Sequence, residues 1–274
     1  MKIDVSGKVA IVSGSTAGIG LGISQALAAS GATVVVIGRE AGKVDDALAS
    51  IRQAVPGADL RGLVADLGTA EGAEKLFAAE PRADILVNNL GIFNDVDFFE
   101  APDSEWARFY EVNVISGVRL ARHYVPGMVG QGWGRVIFLS SESGVATPAD
   151  MINYGVTKSA NLAVSHGLAK RLAGSGVTVN AFFLARPLPT AWSRCSRTPP
   201  QNPGAVRGTR RMCLCETHGQ PRSSSAQQMW MKSPTWWRTL LHPCLLPPPV
   251  PRCGSTAVWS TAWPSEWFSI FWSN

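Results

Sequence analysis

Lys8-Val-Ala-Ile-Val12 runs directly into Ser13-Gly14-Ser15-Thr16-Ala17-Gly18-Ile19-Gly20, and a helix-spaced stretch from Ile19 to Ser30 ends at Gly31. The short apolar run predicts a buried strand, and the glycine cluster behind it predicts a tight strand-to-helix turn. Glycine lets backbone approach a pyrophosphate closely. The helix N-terminus behind such a turn offers unpaired N–H groups and a positive dipole end. An ordinary strand-to-helix loop is the alternative. The strand before, the helix after and the position near the start of the chain favour a dinucleotide cradle made by Gly14, Ser15, Thr16, Gly18, Ile19 and Gly20.

Working outward, the alternation continues. Thr33-Val-Val-Val-Ile37 is a continuous β-branched run, as expected of a strand covered on both faces. Lys43 to Val55 reads as a helix ending at Pro56-Gly57, Arg61 to Val64 as a strand, Ala70 to Ala79 as a helix and Ile85 to Asn88 as a strand. A long amphipathic helix is expected from Ser104 to Val129, with Asp103-Ser104 as cap candidates. Arg135 to Ser140 is a strand, Asn153 to Leu172 a helix, and Val177 to Asn180 starts a sixth strand. Strands alternating with helices imply an α/β, doubly wound parallel sheet with right-handed crossovers. No solenoid-length repeat is visible.

Composition breaks near Ala181. Residues 1–181 carry 15 Lys+Arg and 18 Asp+Glu, a net charge of −3; residues 182–274 carry 10 and 2, a net of +8. All 5 Cys, 8 of 10 Trp and 13 of 18 Pro fall in the second part, against 4 of 27 Gly. The chain pI of 9.1 therefore belongs to the tail and says nothing about what the first part binds. The expected organisation is one domain over 1–181 with an aberrant C-terminal segment over 182–274. No run of 18 apolar residues predicts a membrane span, and Met1 to Lys8 has no signal-peptide stretch, so a cytoplasmic location is expected.

The glycine spacing is Gly-x3-Gly-x-Gly, and four further stretches join it. They are Asn88-Asn89-Leu90-Gly91, Glu111-Val-Asn113-Val, Ser140-Ser141-Glu142-Ser143-Gly144 and Tyr154-Gly-Val-Thr-Lys158, with Ser141 13 residues before Tyr154. Together these resemble the short-chain dehydrogenase/reductase family, 3-oxoacyl-carrier-protein reductases among its members, over residues 1 to about 181. Leu90 stands where the family has alanine. The resemblance implies a Rossmann-like fold, a nicotinamide cofactor and catalytic roles for Asn113, Ser141, Tyr154 and Lys158. It implies cofactor contacts by Asp66-Leu67, Asn89, Gly91, Tyr154 and Lys158, and a homodimer or homotetramer built on the two long helices.

The residues permit that chemistry independently. Tyr154 and Lys158 lie four apart on one helix face. A free phenol titrates near pH 10. An ammonium about 4–5 Å away at an effective dielectric of about 20 favours the phenolate by roughly 3–4 kcal/mol, or about 2–3 pKa units. Tyr154 then serves as general acid for ketone reduction or base for alcohol oxidation. Ser141 would hydrogen-bond the reacting oxygen. In the family pattern Lys158 also holds the nicotinamide ribose, and Asn113 anchors a water leading to Lys158. Glu142 and Ser143 either line the pocket or turn the chain. At the end of strand two, where NAD enzymes carry an acid, the chain has Gly38-Arg39-Glu40. Arg39 favours NADP(H) over NAD(H), with a Glu40 turned back to the ribose as the alternative.

The tail lacks the elements that normally close such a fold. Pairing the third base of each codon with the first two of the next restores one of them. From Ala181 to Trp192 the genetic code then permits Val-Leu-Pro-Gly-Pro-Thr-Leu-Thr-Asp-Gly-Val. At Met229-Trp230-Met231-Lys232 the shifted reading is forced to Val-Asp-Glu, and from Trp259 it permits Val-Asp-Gly. A frameshifted translation from about residue 182 is the expectation, and tail motifs are discounted accordingly. Cys213, Cys215 and His218 fit no closed metal site, so no metal is assigned. Arg207 to Arg211 carries no nucleic-acid motif, and the Trp259 to Trp272 stretch is not assigned to a membrane surface. The expected function is hydride transfer between NADP(H) and a small carbonyl or alcohol substrate. A nucleotide-binding remnant without turnover is the first rival, and a basic-tailed interaction protein the second.

Overall fold

The structure, a computed structural model, describes residues 3–184. The stretch beyond Leu184, expected above to be frameshifted, with Cys213, Cys215, His218, Arg207 to Arg211 and Trp259 to Trp272, lies outside the described residues.

The six strands are β1 (Val9–Val12), β2 (Thr33–Gly38), β3 (Leu60–Val64), β4 (Ile85–Asn88), β5 (Gly134–Ser141) and β6 (Val177–Leu184). They form one parallel sheet in the order β3-β2-β1-β4-β5-β6. Helices α1 (Gly18–Ala29), α2 (Ala41–Ala54), α3 (Ala70–Ala79), α4 (Asp103–Tyr110), α5 (Ser116–Gln131) and α6 (Ile152–Arg171) make the crossovers. Alternate residues of each strand face opposite layers. Val34 and Val36 pack with Ile23 and Leu27 of α1 and with Val44 and Ile51 of α2. Val35 and Ile37 belong to the other core, with Leu76 of α3 and Leu120 and Met128 of α5. Both faces being covered explains why the strands read as unbroken apolar runs. The α/β doubly wound expectation holds, with most ends shifted by a residue or two. β6 runs past Ala181 and pairs with β5 from Gly134↔Val177 to Ser141↔Leu184.

The chain winds outward from β1 through β2 to β3, then returns to β4 on the other side of β1. The connections that leave the carboxyl ends of β1 and β4 therefore part to opposite sides and open the crevice where such sheets take their ligands. Among the described residues, no helix is long and apolar enough to cross a membrane.

One element differs in kind. The long helix expected from Ser104 is interrupted by a π-helical turn at Glu111–Ile115. A wider turn leaves carbonyls short of their i+4 partners. Here the Ser116 hydroxyl donates to Val112 O at 2.6 Å and Asn161 Nδ2 donates to Asn113 O at 3.0 Å. The bulge places Asn113 toward the end of β4.

Candidate active site

At the β1 end, the cradle is held by side chains that bond to backbone. Ser13 Oγ accepts from Asn89 N and Leu90 N, both at 2.9 Å, and donates to Val87 O at 3.3 Å. Asn89 Nδ2 donates to Ser13 O at 2.9 Å and Gly14 O at 3.1 Å. Ser15 Oγ accepts from Ile37 N at 2.7 Å, tying the turn to β2. Ser15 and Asn89 thus spend their side chains on shaping the cradle. Gly14 and Gly18 have φ of 65° and 55°, in the left-handed region that disfavours other residues. A Cβ on Gly20 would sit 2.2 Å from Gly14 O, so only glycine lets α1 enter this close behind the turn. Ala17 gives α1 no side-chain cap and its first turn carries no acid, which leaves the N-terminal N–H groups and the dipole to an anion. Ile19 is exposed beside them. The turn therefore fits a dinucleotide pyrophosphate.

At the end of β2, Thr16 lies over Gly38, where a Cβ would come 2.4 Å from Thr16 Cγ2. Arg39 is exposed. Glu40 is held by Lys43 at 2.7 Å. That hydrogen bond and charge, with a smaller contribution from Arg39, keep the carboxyl below its ordinary range. Asp66 accepts from Gly68 N at 2.9 Å. Leu67 is buried in the core, so it presents only backbone to the crevice.

The second half of the site forms where α6 crosses the ends of β4 and β5. Lys158, only 5% exposed, donates from Nζ to Leu139 O at 2.9 Å and lies 5.4 Å from the Tyr154 ring centroid. Burial pushes its ammonium down to about 8. Gly91 closes the space beside it, since a Cβ there would be 3.5 Å from Lys158 Nζ and 3.6 Å from Asn113 Oδ1. Asn113 clamps the next residue at both backbone groups: Oδ1 accepts from Ile92 N at 2.7 Å and Nδ2 donates to Ile92 O at 2.9 Å. The same Nδ2 reaches Thr157 Oγ1 at 3.0 Å. Ser141 ends β5 and caps the short 3₁₀ turn Glu142–Gly144, accepting from Ser143 N at 3.2 Å, with the Ser143 hydroxyl 3.3 Å away. α6 is pinned to this end by Ser140 Oγ on Lys158 O at 3.0 Å and Ser159 Oγ on Gly144 O at 2.6 Å.

The structure thus gathers Asn113, Gly91, Tyr154 and Lys158 around one point, with Ser141 two residues beyond the carbonyl that holds Lys158. Reading the sequence missed Thr157, Asn161 and Phe93. Thr157 and Asn161 flank Lys158 on α6, so their spacing was a usable signal for the first two.

A nucleotide cradle at a sheet switch point, with a Tyr–Lys pair on the neighbouring crossover helix, defines a dinucleotide-binding oxidoreductase. The family model described as short chain dehydrogenase matches residues 8–190. The chain is 46% identical over 180 residues to the uncharacterized oxidoreductase YvaG of Bacillus subtilis, covering 66% of this chain and 68% of that one. It is 34% identical over 185 residues to the 3-oxoacyl-acyl-carrier-protein reductase FabG of Aquifex aeolicus, covering 66% and 74%. Among solved structures, L-sorbose reductase from Gluconobacter frateurii, complexed with NADPH and L-sorbose, superposes with TM-score 0.63 at 34% identity, covering 66% and 70%. The chain belongs to the short-chain dehydrogenase family, whose members bind NAD(P) and act on small molecules.

Proposed function

We propose that this chain interconverts a ketone and a secondary alcohol, with Tyr154 as general acid and base and NADP(H) as the preferred cofactor. The observation that carries the reading is the buried Lys158 ammonium, fixed by Leu139 O and 5.4 Å from the Tyr154 ring. A cation fixed beside the Tyr154 ring would stabilise the negative charge left there as the proton departs. When bound, the cofactor supplies or accepts the hydride. Tyr154 gives its proton to the carbonyl oxygen in reduction and takes it back in oxidation. Ser141, whose oxygen accepts from the Ser143 amide, turns its O–H from Ser143 Oγ to the same oxygen when substrate binds and stabilises the charge that develops there. Lys158, with an acidity near neutrality, is suited to resupplying the proton. The Ile92 clamp gives Asn113 the role of fixing the floor of the pocket.

Preference for NADP(H) is supported by Gly38 in the acidic position, by exposed Arg39 and by the engagement of Glu40 with Lys43. Exposed Tyr110 and Val156 on α4 and α6 support association through these helices into a dimer or tetramer. A cytoplasmic location belongs to the same reading. The test is fluorescence titration with NADPH and NADH, followed by turnover of a ketone panel by the chain and its Tyr154→Phe variant. Tighter NADPH binding and turnover lost in Tyr154→Phe support the proposal; turnover retained in Tyr154→Phe refutes the role of Tyr154. The break in composition near residue 182 favours one rival, a nucleotide-binding remnant, and binding without turnover of any ketone would establish it.

A further inference from the structure

Phe93 lies against the Tyr154 ring, and neither the fold nor the mechanism above uses its side chain. Its ring packs edge-on to Tyr154, with centroids 6.1 Å apart and planes at 65°, yet the residue is 62% exposed. An exposed phenyl ring forgoes the burial that makes phenylalanine worth having in a fold. It is not loosely placed either. The preceding residue, Ile92, is held by Asn113 at both its N–H and its C=O, so the backbone carrying Phe93 is fixed to the same asparagine that packs beside Lys158. Further along this loop the aromatics pack on one another: Phe98 lies edge-on to Trp106 at 6.0 Å and to Phe99 at 5.3 Å.

We infer that Phe93 is a specificity-determining residue that stacks on an aromatic ring attached directly to the substrate carbonyl, making aryl ketones and benzylic alcohols the preferred substrate class. The inference rests on the ketone–alcohol reading of the Tyr154 site. A ring bonded to the carbonyl carbon extends a few ångströms from the oxygen that Tyr154 protonates, within reach of a phenyl already in edge contact with the tyrosine. Aromatic pairs prefer such edge or offset contacts, and a saturated ring of the same size cannot supply them.

The test compares acetophenone with cyclohexyl methyl ketone, matched in size and connectivity, using the full chain and NADPH. Phe93→Leu should lower the ratio of kcat/KM for acetophenone over the cyclohexyl ketone by about 3- to 10-fold, the contribution of one aromatic pair. Phe93→Tyr should restore it. An unchanged ratio in Phe93→Leu overturns the inference. If the chain turns over neither ketone, the ketone–alcohol reading fails first, and fluorine NMR still decides the docking. Line broadening of para-fluoroacetophenone by the chain with NADPH, lost in Phe93→Leu and kept in Phe93→Tyr, supports the aryl site. Absent broadening, or equal broadening in the chain and Phe93→Leu, overturns it. Loss of thermal stability in Phe93→Leu with the ratio intact also overturns it, because the ring would then be serving the fold.

Discussion

Replacing Lys158 by methionine separates the cost of the buried charge from its use. Burial lowers the ammonium from its ordinary 10.5 to about 8. That difference corresponds to about 3 kcal/mol by which the folded protein disfavours the charged form. Below about pH 8 the lysine is protonated in both folded and unfolded chains, so the full cost is present. Between about 8 and 10.5 the unfolded chain binds the proton and the folded one has lost it, so stability rises with pH; above 10.5 the cost is gone. Lys158→Met has no such dependence, and all other groups cancel in the comparison except those coupled to this amine. The stability of the parent chain minus that of Lys158→Met should therefore increase by about 1 kcal/mol between about pH 7 and pH 9. Stopping there keeps the measurement below the range where phenols titrate. Urea unfolding followed by circular dichroism reads this directly, and thermal melts should show the gap moving by roughly 2–4 °C. The absolute gap at one pH also contains the orphaned Leu139 O, which costs about 1–3 kcal/mol, so only the pH trend carries the argument. Parallel stability curves, or a gap that moves the other way, would refute the claim that Lys158 is held charged against its burial.

Three further outcomes follow from the same geometry. Gly20→Ala forces a Cβ to within 2.2 Å of Gly14 O; NADPH affinity should fall at least about 10-fold and stability by about 1–3 kcal/mol, and a fluorescence titration matching the parent would dismiss the close helix entry. Asn161→Leu strands the Asn113 carbonyl and should cost about 1–3 kcal/mol in urea unfolding, whereas Asn161→Ala, which admits water, should cost less. Sequencing the coding DNA should show that one base added near codon 181 opens a frame encoding Val-Leu-Pro-Gly-Pro-Thr and, at codons 229–232, Val-Asp-Glu; protein from that repaired frame should be more soluble, and codons incompatible with those peptides would end the frameshift proposal.

The sheet was legible because a parallel sheet covered on both faces writes itself as short continuous apolar runs, of which Thr33 to Ile37 is the clearest. The cradle was legible because close approach admits only glycine at Gly20 and left-handed backbone favours it at Gly14 and Gly18. What could not be read depends on distant partners. The π-helical turn at Glu111–Ile115 leaves the local apolar spacing nearly unchanged, and its carbonyls are satisfied partly by Asn161, 48 residues away. The acceptor for Lys158 is a backbone carbonyl, Leu139 O, which any residue would supply. Phe93 carried no signal in the sequence, because composition cannot tell an exposed phenylalanine beside the Tyr154 ring from one in the interior. Ser143 could be weighed only evenly until its amide was seen to cap onto Ser141.

The two halves of the site are tied together by one short segment, and its residues divide the work in order. Asn89 and Leu90 bond to the Ser13–Gly14 turn, Gly91 lies beside the Lys158 amine, Ile92 is clamped by Asn113 and Phe93 meets Tyr154. A chain of five residues spans at most about 18 Å fully extended. The separation between the cradle and Tyr154 is therefore set largely by backbone, bonded at Asn89, Leu90 and Ile92. In the proposed reaction a nicotinamide ring must meet a carbonyl carbon within a few tenths of an ångström of the productive distance, and a flexible linkage between the halves would lose much of the rate that positioning provides. This explains why the side chains of Ser13, Asn89 and Asn113, which look like ligands for substrate or cofactor in a list of polar residues, are spent on backbone groups. Their contribution to the proposed reaction is the fixed distance between the two halves.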